Sequence, residues 1–219
     1  PETRATYDQL QALLLARRSI RHYKAQEVEQ DVIDKILKAA ATAPIGIPPS
    51  DVEILVLKGP AKVAEFRKDI LDAMKPMKRF FSGPMLALFR PILGKEMHAT
   101  VKTFLLPALN AFLSEAEKGR DLLTHNAPLG MLFYHSPYGG PNPADPLIAA
   151  TYAVVAAESL GLGSCMLGFP APTLKRSKKL LTKYHISSKA PLGIMVVFGY
   201  PAVEYRRSVQ RRFAGVHYW

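Results

Sequence analysis

Apolar and polar residues follow one another along the chain with the periods of helices and strands. In some segments apolar residues recur every three or four positions, which is the period of an amphipathic helix. Other segments are short apolar runs bounded by Gly, Pro or Asn, which is typical of buried strands. The pattern predicts helices that begin near Asp8 and cover 28–42, 61–74, 101–113, 147–160 and 173–184, and strands over 52–57, 129–135 and 192–198.

A short apolar segment after Gly163 would add a further strand. Helices that outnumber strands and alternate with them indicate an α+β fold or a three-layer α/β sandwich. Asp8, Asp31 and Thr173 are the predicted N-caps of their helices, because a short polar side chain can accept a hydrogen bond from a free amide there. Pro107 is expected to kink its helix or to lie near its first turn.

Glycines follow helix 147–160 closely. Gly161 comes directly after the helix, where a residue without Cβ readily adopts the left-handed conformation that ends a helix. Gly163 and Gly168 come next, and they would let the backbone approach something flat. A tight helix-to-strand turn explains the same glycines without any ligand.

The stretch 75–120 is the least regular part of the sequence, and it is rich in Met and Phe. Methionine and aromatic side chains at helical spacing usually belong to a core or a subunit interface. A lid over a ligand is the functional alternative, since function often resides on such insertions.

Composition places the chain among ordinary globular proteins. It has 219 residues, 48% of them hydrophobic and 21% charged, which suits a single domain with a substantial core. The lone Cys165 excludes an intrachain disulfide and any cysteine-built metal site within the chain, and it predicts core packing in a reducing, cytoplasmic compartment. We expect neither a secretory leader nor a membrane span.

The formal net charge of +11 allows a nucleic acid, an acidic protein or an anionic cofactor as partner. No zinc finger, RNP-type motif or basic heptad helix accompanies the charge, which argues against nucleic acid. Two or three guanidinium groups and a hydroxyl within 17–21 suit a phosphate, although a solvated helix end carries such residues too.

Motifs of hydrolases and metalloenzymes are missing from the sequence. There is no G-x-S-x-G and no H-E-x-x-H, and the histidines are scattered without ligand spacing. We therefore expect no metal site. Glu158, on the helix before the glycines, remains open between a solvated face, a partner for another helix and a cofactor contact.

Segments spread over nearly the whole chain resemble one family. Arg17-Arg18-Ser19-Ile20-Arg21 follows the first helix, and Ala43-Pro44-Ile45-Gly46 follows the second. The remaining segments are 157–163 with Gly168, and 199–219 with its Gly199-Tyr200-Pro201, Arg211-Arg212 and His217-Tyr218-Trp219. In this order they resemble the FMN-dependent nitroreductase family, in the subgroup related to ferredoxin-fused members.

The resemblance implies a three-layer α/β/α sandwich around a mostly antiparallel sheet, classed as α+β. It implies a homodimer with an FMN at each of two sites built from both subunits. One domain would cover 1–219, with a helical lid or interface insertion at about 75–120 and a domain-swapped C-terminal arm at about 202–219.

The resemblance also implies the roles of individual residues. Arg17, Arg18 and Ser19 match the segment that holds the FMN phosphate and ribityl chain, and Arg21 matches a basic position near the pyrimidine end of the flavin. Leu167 and Gly168 match a turn whose backbone N–H groups face flavin N5. The other expected cofactor contacts are Pro44, Met166, and the C-terminal pair Arg211 and Arg212, which matches residues that reach the phosphate.

One motif departs from the family. Pro48, Ser50 and Val52 stand where A-P-S-x-x-N-x-Q-P-W has Asn, Gln and Trp, so the flavin contacts of those side chains are not carried over. The implied reaction is ping-pong transfer from NADH, NADPH or another donor, through FMN, to a nitroaromatic, quinone or similar small acceptor. The alternatives are a flavin-binding sensor or storage protein without turnover, and a basic nucleic-acid-binding module.

Overall fold

The computed structural model describes residues 4–46, 51–80, 83–137, 142–208 and 211–219. A π-helical turn, Val101–Leu105, separates two of the helices. The helices are α1 (Tyr7–Ala16), α2 (Gln30–Ala40), α3 (Pro60–Phe80), α4 (Gly83–Thr100), α5 (Leu106–Glu117), α6 (Asp145–Ser159), α7 (Pro170–Lys175) and α8 (Lys178–Lys183). The strands are β1 (Val52–Lys58), β2 (Leu129–His135), β3 (Gly163–Leu167) and β4 (Leu192–Gly199).

The strands form an antiparallel sheet in the order β1-β2-β4-β3. Every residue of the inner strand β2 is buried, as its unbroken apolar run predicts. Side chains alternate between the two faces of this strand. Leu132 and Tyr134 pack with α3, α5, α7 and α8, whereas Met131 and Phe133 pack with α2 and α6.

Helices therefore cover both faces of an antiparallel sheet, and the α+β three-layer prediction is confirmed. The predicted strands agree with β1, β2 and β4 to within a residue at each end. Domain swapping of the C-terminal arm stays a prediction.

The predicted helix caps were wrong. Thr6, not Asp8, caps α1: its hydroxyl accepts from the Gln9 amide at 3.2 Å, and the Gln9 side chain accepts from the Thr6 amide at 2.9 Å. Asp31 lies inside the first turn of α2, where it pairs with Lys35 at 3.0 Å. A cap needs extended backbone, and only the fold decides which of several nearby polar residues adopts it.

The basic helix predicted over 173–184 is interrupted. Ser177 has extended backbone and caps α8, accepting from the Leu180 amide at 3.4 Å. Thr173 is buried inside α7, and its hydroxyl donates to the Phe169 carbonyl at 2.9 Å instead of capping. The break separates two short helices that pack on the same face of the sheet.

The stretch 75–120 is helical in its described part, with two interruptions. Gly94 has φ 75°, which kinks α4. The π-helical turn at Val101–Leu105 follows, and Pro107 then lies in the first turn of α5, as its missing N–H favours. These interruptions bend the segment over the face of the sheet that α7 covers, where Phe169 packs against Phe104 and Phe112.

The segment after α1 runs along the free edge of β3. The Ile20 amide donates to the Ser164 carbonyl at 2.9 Å in a parallel bridge, and the Lys24 amide donates to the Tyr200 carbonyl at 2.8 Å. Gly163 permits this approach, because a Cβ there would lie 2.5 Å from Cγ1 of Ile20. Gly163 therefore allows a close contact within the chain, with Ile20, rather than with a ligand.

Candidate functional site

Three of the predicted site residues, Arg17, Ser19 and Arg21, lie near Cys165 at the edge of β3. The Cys165 thiol is 4% exposed, as core packing predicts, and burial raises its pKa. The positive charge of Arg21, the Ser19 hydroxyl and the charge of Arg17 act in the opposite direction. These side chains therefore lie near the thiol, beside the bridge to Ser164, and together they supply the guanidinium and hydroxyl donors that suit a phosphate or another anion.

Glu158 faces the same cluster from the last turn of α6. It is half-buried, and burial raises the pKa of its carboxyl, while the charge of Arg17 lowers it. Glu158 is thus a half-buried acidic neighbour of Arg17.

Arg18 turns to the other side of the segment. Its guanidinium lies 4.8 Å from the centre of the Tyr205 ring, in a cation–π contact. A cavity of about 400 Å³ opens beside it, and Arg206 and Arg207 line the same cavity. The basic pair that the structure brings to Arg18 is therefore 206–207.

The predicted pair Arg211 and Arg212 is exposed and does not line that cavity within the described part of the tail. The sequence alone assigned no role to Arg206 and Arg207. The signal that could have found them is Tyr205, an aromatic residue directly before two arginines.

The end of β3 presents backbone rather than polar side chains. Met166 is 39% exposed, Leu167 is buried, and a Cβ placed on Gly168 would meet nothing within 4 Å. Backbone groups of an edge strand point alternately toward and away from their neighbour. Since the Ser164 carbonyl pairs with Ile20, the outward positions within β3 are those of Ser164 and Met166, and Gly168 follows in a bend after the strand ends.

Pro44 lies apart from this edge. It is exposed in the turn after α2, and a Cβ on Gly46 would come within 3.9 Å of the Asn142 side-chain amide. The turn thus packs near the start of α6, where Asn142 donates to Asp145 at 2.7 Å. Pro48 and Ser50 lie outside the described residues, and Val52 begins β1 opposite His135.

A strained turn, which sequence reasoning missed, lies near Arg21. His125 and Asn126 have φ of 58° and 52°, and the Asp121 carboxylate holds the turn by accepting from its backbone amides at 2.8–2.9 Å. Burial lowers the pKa of His125, and the charges of Arg21 and His22 lower it further. Non-glycine residues with positive φ cluster at functional sites, and neutral His125 adds a polar group there.

A cavity of about 600 Å³ adjoins Gly168 and Phe169 on the side of the π-helical turn. Its other described lining residues are mostly Met, Phe and branched aliphatic side chains. The exposed end of β3 therefore borders a cationic edge on one side and an apolar cavity on the other.

Groups of His, Cys, Asp and Glu that could hold a metal ion do not occur among the described residues. Of the helices in the described ranges, none is long and apolar enough to cross a bilayer.

Comparisons with known proteins place the chain in a family. The model of the nitroreductase family matches residues 14–200, which include segment 17–21 and the whole sheet. No curated protein matches the chain. Solved structures with the same fold include an FMN-bound nitroreductase from Bacteroides fragilis, with a TM-score of 0.67 and 20% identity over 96% of this chain and 98% of that one.

An FMN-bound nitroreductase from Desulfitobacterium hafniense has a TM-score of 0.64 and 18% identity, over 96% of this chain and 97% of that one. An iodotyrosine deiodinase bound to FMN and 3-iodo-L-tyrosine has a TM-score of 0.65 and 19% identity, over 95% of this chain and 98% of that one. At these identities the likeness establishes the fold.

Proposed function

The chain belongs to the nitroreductase family and is an FMN-dependent oxidoreductase, and we propose that it passes electrons from a reduced nicotinamide, or another donor, to a nitroaromatic, quinone or similar small acceptor. The observation that carries the proposal is the edge of β3, where segment 17–21 lines up cationic side chains beside outward-facing backbone and the open position of Gly168. FMN supplies the redox chemistry when bound.

The residues at this edge fit a flavin mononucleotide. Arg17 and Ser19 offer guanidinium and hydroxyl donors to a phosphate and a ribityl chain at this edge, and Arg18 offers a further guanidinium on the other side of segment 17–21. The open space at Gly168 leaves room for a flat ring system, which a Cβ would intrude upon. The backbone N–H groups of Leu167 and Gly168, at the end of β3, are the proposed donors to flavin N5.

Arg21 would act through its charge, and His125 as a neutral hydrogen-bonding group. A guanidinium at Arg21 would stabilise the negative charge that the ring system of a bound flavin gains on reduction. The His125 pKa is lowered by burial, so this side chain stays neutral near pH 7 and can donate or accept a hydrogen bond. Arg206 and Arg207, beside Arg18, would add to the phosphate site.

The exposed apolar surface supports a homodimer. In the C-terminal tail the exposed fractions are 86% for Phe213 and 94% for Tyr218. A groove of about 490 Å³ between α1 and α6, lined by Leu10, Leu14 and Tyr152 among others, offers an apolar surface that a second copy could cover. We therefore propose that the tail of each subunit packs on its partner, because isolated chains seldom leave this much apolar surface in water.

The experiment begins with an absorption spectrum and an FMN titration of the purified protein. We expect flavin absorbance, about one FMN per chain, and anaerobic bleaching by NADH or NADPH followed by reoxidation with a quinone. Arg17→Gln should weaken FMN binding, while Lys179→Gln, an exposed charge on α8, should not. Reduction without acceptor turnover would instead indicate a flavin sensor, and salt-dependent DNA retention by colourless protein would indicate a nucleic-acid module.

A further inference from the structure

The cavity beside Gly168 has an apolar body and a single charged residue. It measures about 600 Å³, within the range of sites for drug-sized ligands. Apart from Thr173 and Gly168, its described walls are apolar up to Arg176, which is the one charged residue among them. We infer that this cavity is the acceptor site and that it selects molecules with a bulky, flat apolar body and one anionic group, paired with Arg176.

Among the described polar side chains at or next to the cavity, Arg176 is the one that is free to bind a ligand. The Thr173 hydroxyl is committed to the Phe169 carbonyl at 2.9 Å. The neighbouring Lys175 is directed away, donating to the carbonyls of Ser188 and Ala190 at 2.8 and 2.6 Å. Among the described residues no carboxylate pairs with Arg176, so its positive charge is available to a ligand.

The apolar walls fit a flat molecule. Phe169 follows Gly168 directly, and its ring centre lies 6.0 Å from that of Phe104 and 5.0 Å from that of Phe112. Methionine side chains from α3 and α4 also line the cavity, and thioethers pack well against aromatic rings. Met97 and Phe104 are 50% and 58% exposed, so apolar surface lies open that an aromatic ligand would cover.

This inference rests on the proposed function, since it supposes that FMN lies against the end of β3. The cavity differs chemically from the proposed FMN site, because its walls offer few hydrogen-bond partners to the polar ring edge and the ribityl chain of FMN. A ligand held here would have its apolar body beside Gly168 and its anionic group at the C-terminal end of α7, where Arg176 lies.

The first test is binding without turnover. Calorimetry would titrate oxidised, FMN-loaded protein with naphthalene-2-sulfonate and with the neutral naphthalene-2-sulfonamide. We expect the sulfonate to bind about tenfold more tightly, the effect of one exposed charge-assisted hydrogen bond. Arg176→Gln should remove this preference, and Lys179→Gln, which changes the same charge outside the cavity, should keep it. Phe104→Ala should weaken both ligands.

The second test is turnover of 1,4-naphthoquinone-2-sulfonate and 1,4-naphthoquinone under anaerobic conditions. Each quinone takes two electrons and two protons; the nicotinamide hydride supplies both electrons and one proton, and water supplies the other. Arg176→Gln should raise KM for the sulfonate about tenfold and leave both the neutral quinone and kcat within about twofold.

The outcomes separate this inference from the proposed function. A protein that binds FMN and is reduced by nicotinamide, yet shows no Arg176-dependent preference, would overturn only the inference. Sulfonate binding that disappears when FMN is loaded would show that the cavity is the flavin's own site, which also overturns it. A protein that takes up no FMN would overturn the proposed function and the acceptor role together.

Discussion

Replacing Gly168 with alanine tests whether a flavin lies against the end of β3. A Cβ at this position meets no atom of the chain within 4 Å, and the φ of Gly168 lies outside the left-handed region. The folded chain can therefore accept Gly168→Ala without strain. We expect the free energy of unfolding to stay within about 1 kcal/mol of wild type, with a small gain from the less flexible unfolded chain.

The same methyl group should be costly once FMN is bound. If the ring packs against the backbone here, the added carbon overpacks a filled contact, which costs about 1–3 kcal/mol. That range corresponds to an increase in the FMN dissociation constant of roughly 5- to 150-fold. The predicted signature is thus a large loss of flavin affinity in a protein of unchanged stability without flavin.

Gly163→Ala is the contrasting variant in the same strand. Its Cβ would lie 2.5–2.9 Å from side-chain atoms of Ile20, so segment 17–21 must move away from β3. The hydrogen bond from the Ile20 amide to Ser164 would lengthen or break. We expect the free energy of unfolding to fall by about 1–3 kcal/mol, and FMN affinity to fall with it.

The assays are urea unfolding of flavin-free protein, and FMN titration followed by quenching of flavin fluorescence. Circular dichroism would confirm that both variants are folded. The reasoning is refuted if Gly168→Ala binds FMN within about twofold of wild type. Loss of stability in Gly168→Ala would mean that the space beside this glycine is filled by the chain, and would remove the argument for a ligand there.

The remaining predictions concern the tail, the thiol and the Asp121 turn. Deleting 205–219 should lower FMN affinity and convert dimer to monomer in light scattering; a truncated chain that keeps its flavin would contradict the shared site. Because burial raises the pKa of Cys165, Ellman's reagent at pH 8 should modify native protein much more slowly than protein in urea. Asp121→Asn should lower the free energy of unfolding by about 1–3 kcal/mol at pH 7, since it removes the charge of a buried carboxylate that pairs with half-exposed Arg67. Although burial opposes ionisation of Asp121, its hydrogen bonds and Arg67 hold its pKa below the ordinary value, so this stability is present above about pH 4 and is lost as pH falls through the folded pKa.

The sheet and its main helices could be predicted because their signals are local. The strands β2 and β4 are apolar runs bounded by residues that favour turns, and their burial follows from that composition alone. The end of α6 was predictable for the same reason, since Gly161 has φ 76° where a helix needs a left-handed residue. Such features depend on a few neighbouring residues, all visible in one window of sequence.

Features that depend on distant residues could not be predicted. The contact between Arg18 and Tyr205 joins residues far apart in sequence. The sequence contains several basic pairs, and it does not show which of them lies beside Arg18. The positive φ of His125 is held by Asp121 through side-chain to backbone hydrogen bonds that no periodicity reveals. The resemblance supplied segment 17–21 as a candidate unit, whereas its placement along the edge of β3 follows from the bridge to Ser164.

Gly163 and Gly168, at the two ends of β3, divide the free edge of this strand between the chain and a ligand. An edge strand exposes unpaired backbone groups that attract another strand unless something covers them. Gly163 lets Ile20 approach and cover the first half, where the Ser164 carbonyl is paired. Beyond Ser164 no described segment pairs with this edge, and Gly168 leaves the space beside it open. A flat, anionic cofactor held by the arginines of 17–21 would cover this second half, which would explain why Gly163 and Gly168 lie at the two ends of so short a strand.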